Sequence, residues 1–205
     1  MLHLTTIDTT TYSLLQEIFT TEIIKNNFAL AGGTSLALQI GHRKSIDLDI
    51  FSTKPFAVKE LEVILTTSTN FSFEYTGNNT QMLFGNINNI KCDFVHEPST
   101  LLMPFIVVDG VSYFSVEDIA AMKLHTICGR GKKKDFFDVY ALLQLYNRET
   151  LLKWFTQKYN NNQLFFFWRS ILYFEDAEND PDIEGYPPFA KSWKEIKEFI
   201  CTSFS

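Results

Sequence analysis

Gly32-Gly33-Thr34-Ser35, followed shortly by Ser45-Ile46-Asp47-Leu48-Asp49-Ile50, is the most informative part of this sequence. The residues just before it, 28–31, are apolar and short, which predicts a buried strand. The glycine pair predicts a turn, and residues 34–41 predict a helix. The order strand, turn, helix, strand is therefore expected from residue 28 to residue 51.

Two carboxylates stand two residues apart in the second predicted strand. Alternation places Asp47 and Asp49 on one face and Ile46, Leu48 and Ile50 on the other. Neighbouring acids repel each other unless a positive charge lies between them, and Mg²⁺ is typically held by one or two carboxylates together with phosphate oxygens. A helix start after a glycine turn offers free N–H groups to phosphate. Each half alone is more often a plain turn or a solvated strand face, but together they predict a metal and phosphate site.

The Gly-Gly-Thr at 32–34 and the His-Arg-Lys-Ser-x-Asp-x-Asp-x-Phe at 42–51 together resemble the AbiEii toxin family of nucleotidyltransferases, in the polymerase-β-like superfamily. The resemblance continues at Lys123 and in the run 130–138, so it covers about residues 28–143. It implies transfer of a nucleotide from a nucleoside triphosphate with Mg²⁺ as cofactor and Mn²⁺ as the alternative ion.

The resemblance also implies roles for individual residues. Asp47 and Asp49 would be catalytic metal ligands, with Asp93 as the third ligand. Lys123 would reach the nucleotide phosphates, and Asp135 matches the acid that follows the basic loop. The expected site residues are therefore Asp47, Asp49, Lys123 and Asp135 for catalysis, Gly32, Gly33, Thr34, Ser45 and Lys123 for the nucleotide, and Asp47, Asp49 and Asp93 for the metal.

Considered without the resemblance, several of these residues have simpler interpretations. Asp93 could be an edge-strand acid facing water, or an ion-pair partner of Lys91 on the same strand face. A lysine on a helix, such as Lys123, is most often a solvated surface charge. Asp138 suits the positive end of a helix dipole, and this could be its whole role.

The basic run Arg130–Lys134 also has two interpretations. It could be a solvated loop, or it could contact phosphates of the nucleotide or of an RNA acceptor. The net charge of −6 argues against broad, non-specific nucleic-acid binding. The acidic segment 175–184 carries much of that negative charge.

The composition indicates what class of protein this is. Apolar residues make up 45% and charged residues 20% of 205 residues, which is typical of globular proteins. No signal peptide and no membrane-spanning apolar stretch is recognisable, so a cytoplasmic protein without membrane contact is expected. Cys92, Cys128 and Cys201 lack zinc-site spacing and are expected to be reduced, buried thiols.

The expected fold is α/β (α+β), a small mixed sheet flanked by helices, nucleotidyltransferase-like, with a C-terminal helical bundle. Residues 1–114 would form the catalytic region and residues 115–205 the helical region, with the nucleotide between them. Residues 9–26 predict one helix, and residues 149–159 and 163–174 predict two more. The aromatic side chains of those two helices are expected to face the core.

The acceptor is the least determined part of the hypothesis. The resemblance favours RNA, with the 3′ end of tRNA as acceptor, and a toxin paired with a separate antitoxin protein. A transferase that modifies a small molecule or a protein hydroxyl is one alternative. A non-catalytic nucleotide-binding module is the other.

Overall fold

Seven strands form one mixed sheet in the computed structural model, which describes residues 1–205. The strands are β1 Ala29–Leu30, β2 Leu48–Ser52, β3 Phe73–Asn78, β4 Met82–Ile87, β5 Ile90–His96, β6 Ile106–Val108 and β7 Val111–Tyr113. Their order is β3-β4-β5-β2-β1-β7-β6. The pairs β2–β5 and β1–β7 are parallel, and the other neighbouring pairs are antiparallel. The predicted mixed sheet is confirmed.

Nine α-helices surround the sheet, and more than half of them follow the last strand. They are α1 Thr9–Ile18, α2 Glu22–Asn27, α3 Gly32–Ile40, α4 Val58–Thr66, α5 Val116–Gly129, α6 Lys133–Leu145, α7 Arg148–Tyr159, α8 Gln163–Ser170 and α9 Trp193–Phe204. No helix combines the length and the apolar character that a membrane crossing would require.

The buried apolar side chains form two clusters. One cluster of 20 residues lies between Ile7 and Tyr113, and a second of 24 residues is built mainly from the helices after Phe114. The second cluster also includes Ala29, Ala31 and Leu36 from the N-terminal region. The division at residue 114 stays a prediction, and the helical region shares its core with the strand and helix that carry the glycine pair.

The single helix predicted over residues 9–26 is wrong, because the chain breaks between α1 and α2. The hydroxyl of Thr20 donates to the Glu17 carbonyl (2.7 Å), and the backbone of Thr21 is extended at the start of α2. Thr20 thus supplies a local bond that competes with the helical hydrogen-bond pattern.

The predicted orientation of the C-terminal aromatic residues is only partly correct. Phe155 and Phe167 are fully buried, but Phe165, Phe166 and Trp168 are 62%, 53% and 43% exposed. The helix α8 is short, and Phe167 is its only buried residue. Aromatic content alone therefore did not identify which face of this helix packs.

All three cysteines are free thiols, as predicted. Cys92 is buried, and burial raises the pKa of its thiol to about 12. Cys128 and Cys201 are only half-buried, so the expectation that all three would be buried is wrong for these two.

Candidate active site

The register of two central strands brings two carboxylates side by side. Asp49 of β2 lies directly opposite Asp93 of β5 in the parallel pair. The strand β5 is paired on both sides, with β4 and β2, so the interpretation of Asp93 as an edge-strand acid is wrong. Asp93 is buried, with 9% of its surface exposed.

Asp47 precedes β2 and is held in place through its backbone. The Thr34 hydroxyl donates to the Asp47 carbonyl and also bonds the Ser45 hydroxyl at 2.8 Å. Because β2 begins only at Leu48, Ile46 and Asp47 precede the strand and Ile46 is 57% exposed, so the prediction that Ile46 shares a strand face with Leu48 and Ile50 is wrong. Leu48 and Ile50 are fully buried, as predicted.

The glycine pair allows two charged side chains to approach the backbone. Gly32 has φ of +65°, and a Cβ there would lie 2.1 Å from Oδ2 of Asp49. A Cβ at Gly33 would lie 2.3 Å from Nη2 of Arg43. The helix α3 begins at this point without a side-chain cap. Its first N–H groups are therefore free to bind an anion.

A cavity of about 250 Å³ lies over these groups, and no hydrophobic residue lines it. Its walls are Gly33, Thr34, Arg43, Ser45, Asp47, Asp49, Lys91, Asp93, Lys123, Arg130, Lys132, Lys134 and Asp135. We call it the polar cavity. Every site residue predicted from the sequence lines it except Gly32, which lines an adjoining cavity of about 140 Å³.

Lysines neutralise the acids at the mouth of the polar cavity. Nζ of Lys91 lies 2.6 Å from Oδ2 of Asp93, so the ion pair considered from the sequence is formed. Nζ of Lys134 lies 3.3 Å from Oδ2 of Asp47. The side chains of Lys91 and Lys134 are 55% and 39% exposed, which leaves both lysines free to exchange these partners for others.

Lys123 is a buried cation with two acidic partners. Its Nζ lies 3.1 Å from Oδ1 of Asp135 and 2.6 Å from Oδ2 of Asp138, and the residue is 7% exposed. The surface-charge interpretation is therefore wrong. Burial lowers the pKa of Lys123, but the attraction of Asp138 and then Asp135 outweighs it, and the pKa is raised.

Asp138 is the centre of a buried cluster that the sequence did not predict. It accepts from Nε2 of His42 (2.7 Å) and from Nε and Nη2 of Arg43 (2.6 and 3.0 Å), in addition to Lys123. Burial raises the pKa of this carboxyl, but Arg43, Lys123 and His42 together hold it well below the ordinary value. A helix-terminus charge is thus not its whole role. We call Asp138, His42, Arg43 and Lys123 the anchor cluster.

His42 and Arg43 belong to the same sequence motif as Asp47. This shared motif was the signal that could have identified them. Their side chains tie this motif to α6, on which Asp138 lies. The anchor cluster therefore connects the loop that carries Asp47 to the helical region.

The acids of the polar cavity have oxygens suited to a hard cation. Oδ1 of Asp93 and Oδ2 of Asp135 are buried without a hydrogen-bond partner. Burial raises the pKa of Asp49, Lys123 opposes this, and neighbouring Asp93 raises it further, so the net pKa is raised. A divalent cation would relieve both conditions, and carboxylate oxygens are its preferred ligands. No three acidic, histidine or cysteine side chains already have the spacing of a metal site.

The basic run divides between two roles. Arg130, Lys132 and Lys134 line the polar cavity. Lys133 is buried instead, and its Nζ donates to the Asp180 carbonyl (2.6 Å) and to Asp182 (3.1 Å). The expectation that the whole run contacts phosphate is therefore wrong for Lys133, which ties α6 to the acidic segment.

Comparison with known proteins identifies the family of this chain. The family model described as nucleotidyl transferase AbiEii toxin, type IV TA system, matches residues 13–200. The chain belongs to the AbiEii family of nucleotidyltransferase toxins. An uncharacterised protein of Aquifex aeolicus (strain VF5), aq_aa25, is 34% identical over an alignment of 185 residues, with 86% of this chain and 86% of that protein covered.

Two solved structures share the fold of this AbiEii-family enzyme. MenT4, a nucleotidyltransferase toxin from Mycobacterium tuberculosis H37Rv, is 14% identical, with a TM-score of 0.53 over 97% of this chain and 85% of that chain. JHP933 from Helicobacter pylori is 17% identical, with a TM-score of 0.50 over 94% of this chain and 92% of that chain. At these identities the similarity concerns the fold alone.

Proposed function

We propose that this AbiEii-family enzyme transfers a nucleotide from a nucleoside triphosphate to a hydroxyl of RNA, with the 3′ end of tRNA as the acceptor. The observation that carries the proposal is the polar cavity, where Asp47, Asp49 and Asp93 face several lysines and arginines at the free start of α3. We further propose that it acts in the cytoplasm as a toxin opposed by a separate antitoxin protein.

The triphosphate would bind at the start of α3. The N–H groups of Gly32 and Gly33 and the helix dipole attract phosphate oxygens there. Arg130, Lys132 and Lys134 supply positive charge from the other wall. The Thr34 hydroxyl donates to the Asp47 carbonyl and is itself bonded to the Ser45 hydroxyl, so we assign both hydroxyls to the support of Asp47.

Asp47, Asp49 and Asp93 would hold Mg²⁺, with Mn²⁺ as the alternative. When bound, the metal supplies positive charge at the reacting phosphate. Binding requires Lys91 and Lys134 to release Asp93 and Asp47, and both ammonium groups then become available to phosphate oxygens. Lys123 stays buried between Asp135 and Asp138, where it adds a fixed positive charge beside the site.

In the reaction, the acceptor oxygen forms a bond to the α-phosphorus while the bond to pyrophosphate breaks. The proton of the acceptor hydroxyl leaves at the same time. That proton passes to Oδ1 of Asp93, which accepts no hydrogen bond within the protein, while Oδ2 of Asp93 would remain for the metal once Lys91 has left it. The contribution of the protein is mainly positioning and electrostatic stabilisation, as expected for transfer at phosphorus.

The experiment is a labelling assay. Each α-labelled NTP is incubated with Mg²⁺ and the purified protein, and with total cellular RNA, total protein or a small-molecule extract as acceptor. Label in the tRNA fraction supports the proposal. Label only in protein or in small molecules supports the alternative acceptors, and nucleotide binding without transfer to any acceptor supports a non-catalytic module.

A further inference from the structure

A second, larger cavity reaches the catalytic acids from another direction. It measures about 670 Å³ and lies between α1, the residues leading into β2, and the β4–β5 turn. Asp47 and Lys91 line both this cavity and the polar cavity. We call the second cavity the acceptor groove.

The acceptor groove differs in charge from the polar cavity. Its only cation is Lys91, whereas the polar cavity also has Arg43, Lys123, Arg130, Lys132 and Lys134. Its two acids are Asp8 and Asp47, and the remaining wall carries amides and hydroxyls with a few apolar side chains: Thr10, Thr11, Leu14, Ile46, Asn86, Asn88, Asn89 and Ile90. It is therefore unsuited to a triphosphate but able to contact uncharged polar groups.

Reaction geometry distinguishes the two cavities. In transfer at phosphorus, the attacking and leaving oxygens lie roughly in line on opposite sides of the phosphorus. With the triphosphate in the polar cavity, the acceptor hydroxyl must approach the acids from another side. The acceptor groove also reaches Asp47. Of the cations that line the polar cavity, only Lys91 lines the groove as well. This step rests on the proposed function.

We propose that the acceptor groove binds the 3′-terminal nucleotides of a single-stranded RNA through their bases. Side-chain amides form hydrogen bonds to base edges, and exposed apolar side chains pack on base faces. Asn89 makes no hydrogen bond within the protein, and Ile46 is 57% exposed in the groove. An extended peptide is disfavoured, because β4 and β5 are paired on both sides and offer no free strand edge here.

Two groove residues can be changed without disturbing the fold. Ile46→Ala removes an exposed side chain outside the strand. Asn89 has φ of +67°, a conformation that glycine adopts freely, so Asn89→Gly removes only the amide. Matched controls lie elsewhere. Val63 of α4 is 53% exposed, and Asn160 at the end of α7 has φ of +74°, so Val63→Ala with Asn160→Gly is the control pair.

The test measures transfer to RNA together with nucleotide binding. The double variant Ile46→Ala/Asn89→Gly should raise the KM for RNA about tenfold or more, because it removes one side chain that packs on a base face and one amide that bonds a base edge. Its Kd for a non-hydrolysable NTP analogue should stay within about twofold of the wild-type value, because Ile46 and Asn89 are uncharged and neither lines the polar cavity. The control pair should match the wild type in both measurements.

The salt dependence of RNA binding gives an independent readout. Recognition through bases predicts a log–log slope below about 1.4, equivalent to two phosphate contacts on a single strand. An unchanged KM in the groove variant, or a slope well above this value, would overturn the groove assignment while leaving transfer to RNA established. Transfer to a protein whose KM rises in the groove variant would overturn the RNA assignment. No transfer to any acceptor contradicts the proposed function itself.

Discussion

The carboxylate of the anchor cluster and the carboxylates of the polar cavity have opposite surroundings. In the anchor cluster, Asp138 is fully buried, and side-chain nitrogens of His42, Arg43 and Lys123 lie at 2.6–3.0 Å from it. Asp47 and Asp93 instead line a cavity, and their lysine partners are half-exposed. The charge of Asp138 therefore holds the fold together, whereas the charges of Asp47 and Asp93 remain available to a ligand.

The largest expected effect is on activity, at the available acids. Asp49→Asn or Asp47→Asn should reduce nucleotide transfer by at least about 10²–10³-fold, because each removes charge at the reacting phosphate. Thermal stability should be unchanged or slightly raised in Asp49→Asn, since repulsion from Asp93 is relieved. Asp176→Asn, which changes an exposed acid, is the control for transfer rate and melting temperature. Full activity in both site variants would refute the assignment.

The anchor cluster should respond in the opposite way. Asp138→Asn leaves Arg43 and Lys123 buried with less compensating charge and should lower the free energy of unfolding by about 3–5 kcal/mol. Denaturant unfolding of this variant beside Asp49→Asn measures the difference. Equal stability of the two variants would remove the distinction between the two groups.

Neighbouring lysines of the basic run provide a finer comparison. Lys133→Ala should lower the free energy of unfolding by about 1–3 kcal/mol, because the Asp180 carbonyl loses a buried donor. Lys134→Ala should leave stability within about 1 kcal/mol but weaken NTP binding about tenfold, and weaken NMP binding much less. Unfolding curves and calorimetric titrations check this pair. The reverse pattern would mean that the two lysines have exchanged roles.

The smallest effect is on the pH dependence of stability. Burial lowers the pKa of His42 despite Asp138, and the pKa of Asp138 is itself lowered. The unfolded chain therefore binds more protons, so stability falls as pH falls below about 6.5, and further below about 4. The raised pKa of Asp49 acts in the opposite sense. His42→Gln, which keeps a donor toward Asp138, should flatten the fall in melting temperature between about pH 6.5 and 5. An unchanged curve would mean that His42 does not titrate on unfolding.

The sequence predicted the parts of the site that depend on local patterns. Asp49 and the glycine pair were predictable because strand and turn chemistry involve only neighbouring residues, whereas Asp47 lies just before β2 and is positioned by the Thr34 hydroxyl. Asp93 also lies in an evident strand, but its position opposite Asp49 depends on the pairing of β2 with β5, which no local pattern specifies.

The anchor cluster was not predictable for the same reason. His42 and Asp138 are 96 positions apart, and nothing in either segment identifies its partner. Which of Lys133 and Lys134 is buried depends on the rotation of α6 about its axis. A run of three lysines does not reveal that rotation. The aromatic residues of α8 show the same problem, because apolar residues on every face predict burial without identifying the buried face.

The most direct measurement compares the magnesium dependence of nucleotide binding in the wild type and in Asp49→Asn. Isothermal titration with a non-hydrolysable NTP is done with Mg²⁺ and then with EDTA. We predict that Mg²⁺ tightens binding by the wild-type protein and that Asp49→Asn binds the analogue about equally under both conditions. If Mg²⁺ raised the affinity for the analogue equally in both proteins, this would contradict the claim that the carboxylates of the polar cavity hold the metal with the nucleotide.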